Sequence, residues 1–462
     1  AHYPQSPAVM DACDELGLMV SVCMPGWQYF NKSETFTNLA KQNIRDMIRW
    51  HRNHPSAIMW EISLNETYEH DNFYAECARI AHEEYPGDQM FTSGDSYASK
   101  DARYLEVPYA GWEDFYSRPA APGFEGTKRS FAREYGDYEF GGEHSTTRVA
   151  RGAGEEALLL QSWNFIWSHN RNASYPWLCG DAIWVGVDHF RGCSSENPIS
   201  RCGVLDYLRL PKFSYYFFQS QREANAPQIF IANYWTSRSS PAKVVVFSNC
   251  EEVELILNGK SLGRHQPDSG PDSDYGVWHP EADVVYMASG KNVHDDEADT
   301  AKSLKQQKGE NILAIFDGGN CRHIAHPPFT FAPVNYAPGE LKAVGYIGGR
   351  PVAEDVRRTP GKPAKLKLAA DLEGRSLAAD GADAVFVRAT VCDADGNLVP
   401  DAINSVGFSI SGEANFISPS IVRAEAGMAT VLIRSSGRSP GRVLMQVTAP
   451  GLMPAQLELN SK

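Results

Sequence analysis

No apolar run in the 462 residues approaches the ~18 that a membrane-crossing helix needs. No CxxC pair occurs, and no cysteine and histidine stand at ligand spacing, so a structural zinc site is not expected. The nine cysteines, an odd number, lie far apart and read mostly as buried thiols. Cys193 and Cys202 flank a loop that a disulfide could bridge. A basic cluster is also missing. Lys and Arg number 43 against 57 Asp and Glu, a net charge of -14, and they are spread along the chain. Nothing in that pattern suggests a nucleic-acid or anionic-membrane surface. No secretion leader opens the chain: "AHYPQSPAVMDACDELG" reads as the interior of a protein, so its compartment is not legible from this end.

What is present is a core. Hydrophobic residues make up 42% and aromatics 11%, the composition of a folded protein. The length calls for two or three domains.

Up to about residue 226, short apolar runs alternate with amphipathic stretches. The runs are "LMVSVCMP", "AIMWEISLNE", "QMFTSGD", "YLEVPY", "RSFAREYG" and "CGDAIWVGVDH". Between several of them lie helical patterns: "TFTNLAKQNIRDMIRWHRNH", with Leu39, Ile44, Met47, Ile48 and Trp50 near helical spacing, then "NFYAECARIAHEEY" and "GAGEEALLLQSWNFIWSHN". Strands alternating with helices imply a parallel sheet. Runs that each end in polar or aromatic residues suggest a (β/α)8 TIM-type barrel, whose chemistry sits at the strand C-terminal ends.

From about residue 227 the helical period disappears. "KVVVFSNC", "EVELILNGKSLG", "NILAIFDGG" and "ELKAVGYIGGR" read as strands, and Asn258-Gly259 is a hairpin signal. A second β-rich block follows "TPGKPAKLKL". Both blocks are expected to be β-sandwiches, the second immunoglobulin- or invasin-like. "HDDEADTAKSLKQQKGEN" reads as a solvated insertion. Asp268, Asp272 and Asp274 are acidic enough for calcium but lack loop spacing. The expected architecture is α/β plus all-β: a barrel over 1–226, a sandwich over 227–360 and another over 361–462.

Two carboxylates stand out within the barrel. Glu66 follows Asn65 at the end of "RNHPSAIMWEISLNE", and Glu134 ends "RSFARE". A carboxylate there is costly to desolvate unless it has partners or a task. Taken singly, each Glu reads best as an ion-paired strand-end residue. Taken together, two carboxylates facing across one barrel mouth suit glycoside hydrolysis, with one as acid/base and one as nucleophile. Trp60, Tyr97, Trp112, Tyr135 and Trp184 offer apolar faces for sugar rings.

"AHYPQSP…DACDELGLMV", "RNHPSAIMWEISLNE", "REYG" and "GDAIWVGVDH", in this order over residues 1 to about 222, resemble glycoside hydrolase family 2, the β-galactosidase, β-glucuronidase and β-mannosidase family. The trailing sandwiches resemble the C-terminal modules of its bacterial members. The resemblance implies a retaining exo-β-glycosidase, most simply a β-galactosidase, acting on an oligo- or polysaccharide with no cofactor. It makes Glu66 the acid/base, Asn65 a ligand of the sugar 2-hydroxyl and Glu134 the nucleophile, with His2 and Trp184 lining the sugar subsite. It also implies a periplasmic or extracellular bacterial setting and leaves room for a homo-oligomer. A non-catalytic carbohydrate-binding or scaffold role is the rival reading from another class.

Some positions depart from the family pattern. Four residues, where the commoner spacing has three, separate Trp60 from Asn65, which suggests a bulge. Cys23 falls at or near a position where the best-known β-galactosidases carry a metal-ligand Glu, so no metal is expected. "NPISRCG" lacks the Lys of glucuronidase-like members, which argues against a uronic acid. Arg201 reads better as an ion-pair residue than as a ligand of an anionic substrate. The family pattern also places barrel strands and further domains before "HYP". Residues 1 to 462 alone are therefore expected to be poorly active without that N-terminal part of the same protein.

Overall fold

The computed structural model describes residues 3–27, 29–65, 67, 71–94, 129–135, 149–190, 199–223, 225–236, 242–272, 318–437 and 439–462. Its contacts divide into two units, 1–137 with 168–184, and 138–167 with 185–462.

The first unit contains α1 (Pro7–Leu16), β1 (Val20–Cys23), α2 (Glu34–His51), β2 (Ala57–Glu61), α3 (Asp71–Glu84) and β3 (Met90–Thr92). The strands form a parallel sheet in the order β1-β2-β3, as strands joined through helices must. A second parallel pair joins β4 (Ser130–Tyr135) to β5 (Leu178–Ile183). These are barrel elements, as the alternating pattern predicts. The "YLEVPY" run lies outside the described residues.

Local chemistry sets each helix. The Ser33 hydroxyl caps α2 by accepting from Phe36 N–H, and Glu34 sits in the first turn, where the helix dipole favours a carboxylate. The face of α2 that packs inward is Ala40, Ile44, Met47, Ile48 and His51. Leu39 and Trp50, expected on that face, are exposed instead. They are eleven residues apart, about three turns, so they share a stripe of their own away from the core. Val22, Met24, Trp60, Ile62, Phe73, Cys77 and Phe91 complete the core against α2 and α3.

The "RNHPS" stretch has a mechanical explanation. Asp14 of α1 receives both the His54 ring, at 2.7 Å from Nδ1, and the Ser56 backbone N–H, at 2.9 Å. One carboxylate therefore fixes the turn that feeds β2. Asp11, Asp14 and His54 place their ligating atoms within 4.8 Å of one another, but Asp14 is engaged in that lock.

In the second unit, α4 (Glu155–Ala173) contributes its first turns, followed by the short ribbon β6 (His189–Phe190) with β7 (Ile199–Ser200), and by α5 (Phe213–Ser220). A fully buried ion pair, Lys212 Nζ to Asp188 Oδ1 at 2.8 Å, fixes the approach to α5. Gly203 N–H donates to the same Asp188 oxygen and Lys212 also donates to the Arg201 carbonyl, which offsets part of the burial cost, while Asp188 Oδ2 has no partner among the described residues. Glu155 accepts from the N–H groups of Tyr234 and Trp235, tying α4 to the β-rich part.

Two antiparallel sandwiches follow. The first pairs β8 (Ile229–Ile231), β9 (Val244–Ser248) and β12 (Phe329–Phe331) in one sheet. Its other sheet holds β10 (Glu252–Leu257), β11 (Lys260–His265), β13 (Glu340–Ile347) and β14 (Arg350–Arg358). Asn258 and Gly259 both have positive φ, 51° and 79°, the backbone a two-residue hairpin between β10 and β11 requires. The second sandwich packs β15 (Lys365–Ala370), β16 (Ala384–Cys392), β18 (Ala414–Phe416) and β20 (Met428–Ser435) over β17 (Ser405–Gly412), β19 (Ile421–Arg423), β21 (Gly441–Thr448) and β22 (Ala455–Ser461). Alternate residues of β16 and β20 point inward, among them Val385, Val387, Val431 and Ile433. Each such side chain contributes roughly 1.5–3 kcal/mol on burial. The end of "TPGKPAKLKL" already belongs to the second β-rich block as part of β15.

Of the cysteines, Cys23, Cys250, Cys321 and Cys392 are buried thiols and Cys179 is exposed. Cys202 is buried with its sulfur 3.2 Å from Ser200 Oγ, and Cys193 lies outside the described residues. The "HDDEADTAKSLKQQKGEN" insertion and Asp274 lie outside them too. Asp268 accepts from Thr330 N–H, and Asp272 pairs with Arg322 and His323, each at 2.8 Å. Both have protein partners, not the empty acidic cage that calcium would use.

Candidate active site

The chain beyond β2 is held from both sides after the regular strand stops. Met24 N–H donates to the Glu61 carbonyl at 3.1 Å, and Ile62 N–H to the Thr92 carbonyl at 3.0 Å. Asn65 N–H donates to the Gly26 carbonyl at 3.2 Å, and Gly94 N–H to Ser63 Oγ at 2.7 Å. Residues 62–65 are therefore a pinned, irregular extension of the strand. Asn65, past the end of β2, is bridged to Trp27.

Asn65 is 1% exposed, and neither its amide oxygen nor its nitrogen has a hydrogen-bond partner among the described residues. A buried amide in that state is costly unless something else supplies the partners. Gly94 closes over the same place. A Cβ there would stand 2.5 Å from Glu61 Oε1 and 2.8 Å from the Asn65 Cα, so only glycine fits.

The ends of β2 and β4 meet through side chains. Arg133 Nε lies 3.0 Å from Glu61 Oε2, and its Nη2 lies 4.0 Å from Glu134 Oε2. The first contact is a close charge pairing without the alignment of a directed hydrogen bond. Consecutive strand residues ordinarily project to opposite faces. Here the β4–β5 register slips between Ala132 and Tyr135, and Arg133 and Glu134 come within reach of each other. Glu61 is fully buried. Burial pushes its carboxyl up, while Arg133 and the Cys23 thiol, 3.3 Å from Oε2, oppose that shift. Burial and the Glu61 charge push the Cys23 thiol up, which keeps it protonated and a donor.

Trp184 follows β5 directly, is half-buried, and donates its backbone N–H to the Tyr135 carbonyl at 2.8 Å. That places it beside the residue after Glu134. Two of the aromatics expected to face sugar do not. Trp60 is fully buried in the core against α2 and α3, edge-on to Tyr85 at 5.8 Å. Tyr135 is buried and stacks on His169 at 6.5 Å. Strand alternation explains both, since each points away from the face its neighbour uses. His2, Glu66, Tyr97 and Trp112 lie outside the described residues. Arg201 pairs with Glu425 at 3.9 Å, the ion-pair role favoured for it from sequence.

Glu61, Arg133 and Gly94 escaped the sequence reading. Glu61 had a signal: a charge inside the apolar run "AIMWEISLNE", where burial would be expensive without a partner. Arg133 and Gly94 gave none, because their roles depend on another strand.

Residues 1–84 match the model of "Glycosyl hydrolases family 2, TIM barrel domain". Residues 366–458 match "Glycoside hydrolase family 2 C-terminal domain 5", and residues 240–289 match a domain of unknown function. A β-galactosidase of Thermoanaerobacter pseudethanolicus is 29% identical over 96% of this chain and 54% of its own length. A β-glucuronidase of Formosa agariphila is 24% identical over 100% of this chain and 43% of its own. The crystal structure of a β-glycosidase from Bacteroides vulgatus shares the fold, with a TM-score of 0.70 and 20% identity, over 100% of this chain and 59% of that one. The chain thus spans about half the length of the curated relatives it matches.

Proposed function

Because the chain belongs to glycoside hydrolase family 2, we propose that it carries the catalytic carboxylates of a retaining exo-β-glycosidase, most simply a β-galactosidase. One observation carries the reading. The Arg133–Glu61 contact joins the strand end that presents Asn65 to the strand end that presents Glu134. Asn65–Glu66 and Glu134 then belong to one site. Glu134 attacks the anomeric carbon, Glu66 protonates the departing oxygen, and water later releases the sugar with Glu66 as base. The Asn65 amide, without a partner among the described residues, is suited to a sugar hydroxyl, a donor and acceptor in one group. Trp184, whose backbone is bonded to the residue after Glu134, is the aromatic proposed for a sugar face.

A neutral sugar is favoured over a uronic acid. Arg201 is engaged by Glu425, and "NPISRCG" supplies no lysine. Similarity to a β-glucuronidase across the whole chain makes the uronide the arm to test against.

The test uses the full chain, including whatever precedes residue 1. Aryl β-galactoside, β-glucuronide and β-mannoside are compared, and a 2-deoxy-2-fluoro-β-galactosyl fluoride is used as a trap. The expected outcome is galactoside turnover and a covalent label on the peptide "FAREYGDYEF". Glu134→Gln should lose more than about 10⁴-fold in kcat. A label on a different carboxylate, or turnover that survives Glu134→Gln, defeats the assignment.

A further inference from the structure

We propose that Arg133, anchored by the buried Glu61, is the positioning residue that keeps Glu134 ionised and aimed. The inference rests on Glu134 being the nucleophile, and it adds how that carboxylate is controlled.

The geometry is specific. The Arg133 side chain is 8% exposed and that of Glu61 is 0% exposed. A guanidinium cannot shed its charge, so its place must be fixed by carboxylates. Glu61 takes one side of it from β2, at 3.0 Å, and Glu134 stands on the other, at 4.0 Å. Cys23 on β1 steadies Glu61 from behind, through a donated S–H at 3.3 Å. Gly94 leaves room for Glu61 Oε1, where any Cβ would collide with it. Three strands and a loop thus converge on one salt bridge, and that bridge ends beside Glu134. A nucleophilic carboxylate must be charged to attack, and a cation within about 4–6 Å lowers a carboxylate pKa by roughly one to three units.

Other titratable groups on these elements are linked to one another. Tyr135 of β4 reaches His169 of α4 at 3.5 Å, and His169 reaches Asp181 of β5 at 2.8 Å.

The test is the acidic limb of the kcat/KM–pH profile, which a purely structural residue would not move. In the full chain, Arg133→Met should raise that limb by about one to three pH units, because Glu134 loses its cation. Arg133→Lys keeps the charge and should hold the limb near its wild-type place while kcat falls, since a flexible ammonium positions less well. Arg133→Met also strands Glu61 in the interior and can fail to fold. The double variant Glu61→Gln with Arg133→Met removes both charges together, and its limb should rise relative to Glu61→Gln alone. The fluoroglycoside trap is run on every variant. A label on Glu134 with an unmoved limb in the folded double variant overturns this inference alone. A label elsewhere overturns the reading of Glu134, and this inference with it.

Discussion

Asp393 and Asn65 are buried to nearly the same degree, 3% and 1% exposed, in surroundings that could hardly be less alike. Asp393 sits in the turn after β16. It accepts from the N–H groups of Gly361, Gly396 and Asn397 and from the Asn397 amide, all between 2.8 and 3.0 Å. Burial pushes its carboxyl up, and those donors outweigh it and hold it at about 2. Asn65 has no such partners among the described residues, and Glu61 nearby keeps one oxygen unpartnered among them. At Asp393 the sandwich completes a buried carboxylate with its own donors. The strand ends leave polar capacity open, which is the condition of a surface built to meet something else.

The comparison predicts that substitutions at the strand ends cost activity first, and substitutions in the sandwich cost stability alone. Gly94→Ala is the severest test. Its Cβ would collide with Glu61 Oε1 and the Asn65 backbone, so the strand ends must shift by a large fraction of an ångström. A displacement of about 1 Å can cost about a hundredfold in rate, and overpacking costs roughly 1–3 kcal/mol. Steady-state kinetics of the full chain should show that loss, and wild-type kcat from Gly94→Ala would break the comparison.

Asp393→Ala should act in the opposite way. It leaves buried donors unsatisfied, a cost of about 1–3 kcal/mol in denaturant unfolding, with kcat and KM unchanged. The sign of its pH dependence follows from the depressed carboxyl. Its contribution is complete above the unfolded value, near 3.8, and is lost as pH falls through about 2. The difference in stability between wild type and variant should therefore persist to about pH 4 and shrink below it. A variant difference that disappears already between pH 7 and 5 would contradict this account.

The smallest effect is expected at His51. It is buried at the end of α2 with neither ring nitrogen hydrogen-bonded among the described residues, and its ring lies 5.8 Å from that of His54. Burial, and then the charge of His54, lower its pKa. The folded state favours the neutral ring, so stability is whole above the unfolded value, near 6.5, and declines as pH falls below it. His51→Phe should flatten that acid-side decline in melting curves between pH 7.5 and 5.5, by less than Asp393→Ala changes stability at neutral pH. An unchanged slope would assign the decline to other groups.

Much of this was legible along the chain. Alternation of apolar runs with 3.6-residue periods gave the barrel elements, because both patterns are local and repeat within a few residues. Asn258-Gly259 announced its hairpin, since few residue pairs accept two consecutive positive φ angles. The strand-end positions of Asn65 and Glu134 were visible as polar residues terminating apolar runs. The aromatics were misjudged where only facing mattered: Trp60 and Tyr135 stand in the right runs but turn toward the helices and the neighbouring strand.

The amino-acid sequence by itself therefore determined the described elements, their order and the place of Glu134 near a strand end. Those follow from the period of hydrophobicity and from the cost of burying charge, and both act within a single segment. Tertiary structure alone decided that Arg133 reaches Glu61, that Gly94 must lack a side chain, and that Asp14 locks the "RNHPS" turn. Each of these is a meeting of side chains or backbone 29 to 72 residues apart. Such meetings depend on strand register and on a one-residue slip in β4, and a slip of one residue redirects side chains without leaving any mark in the local pattern.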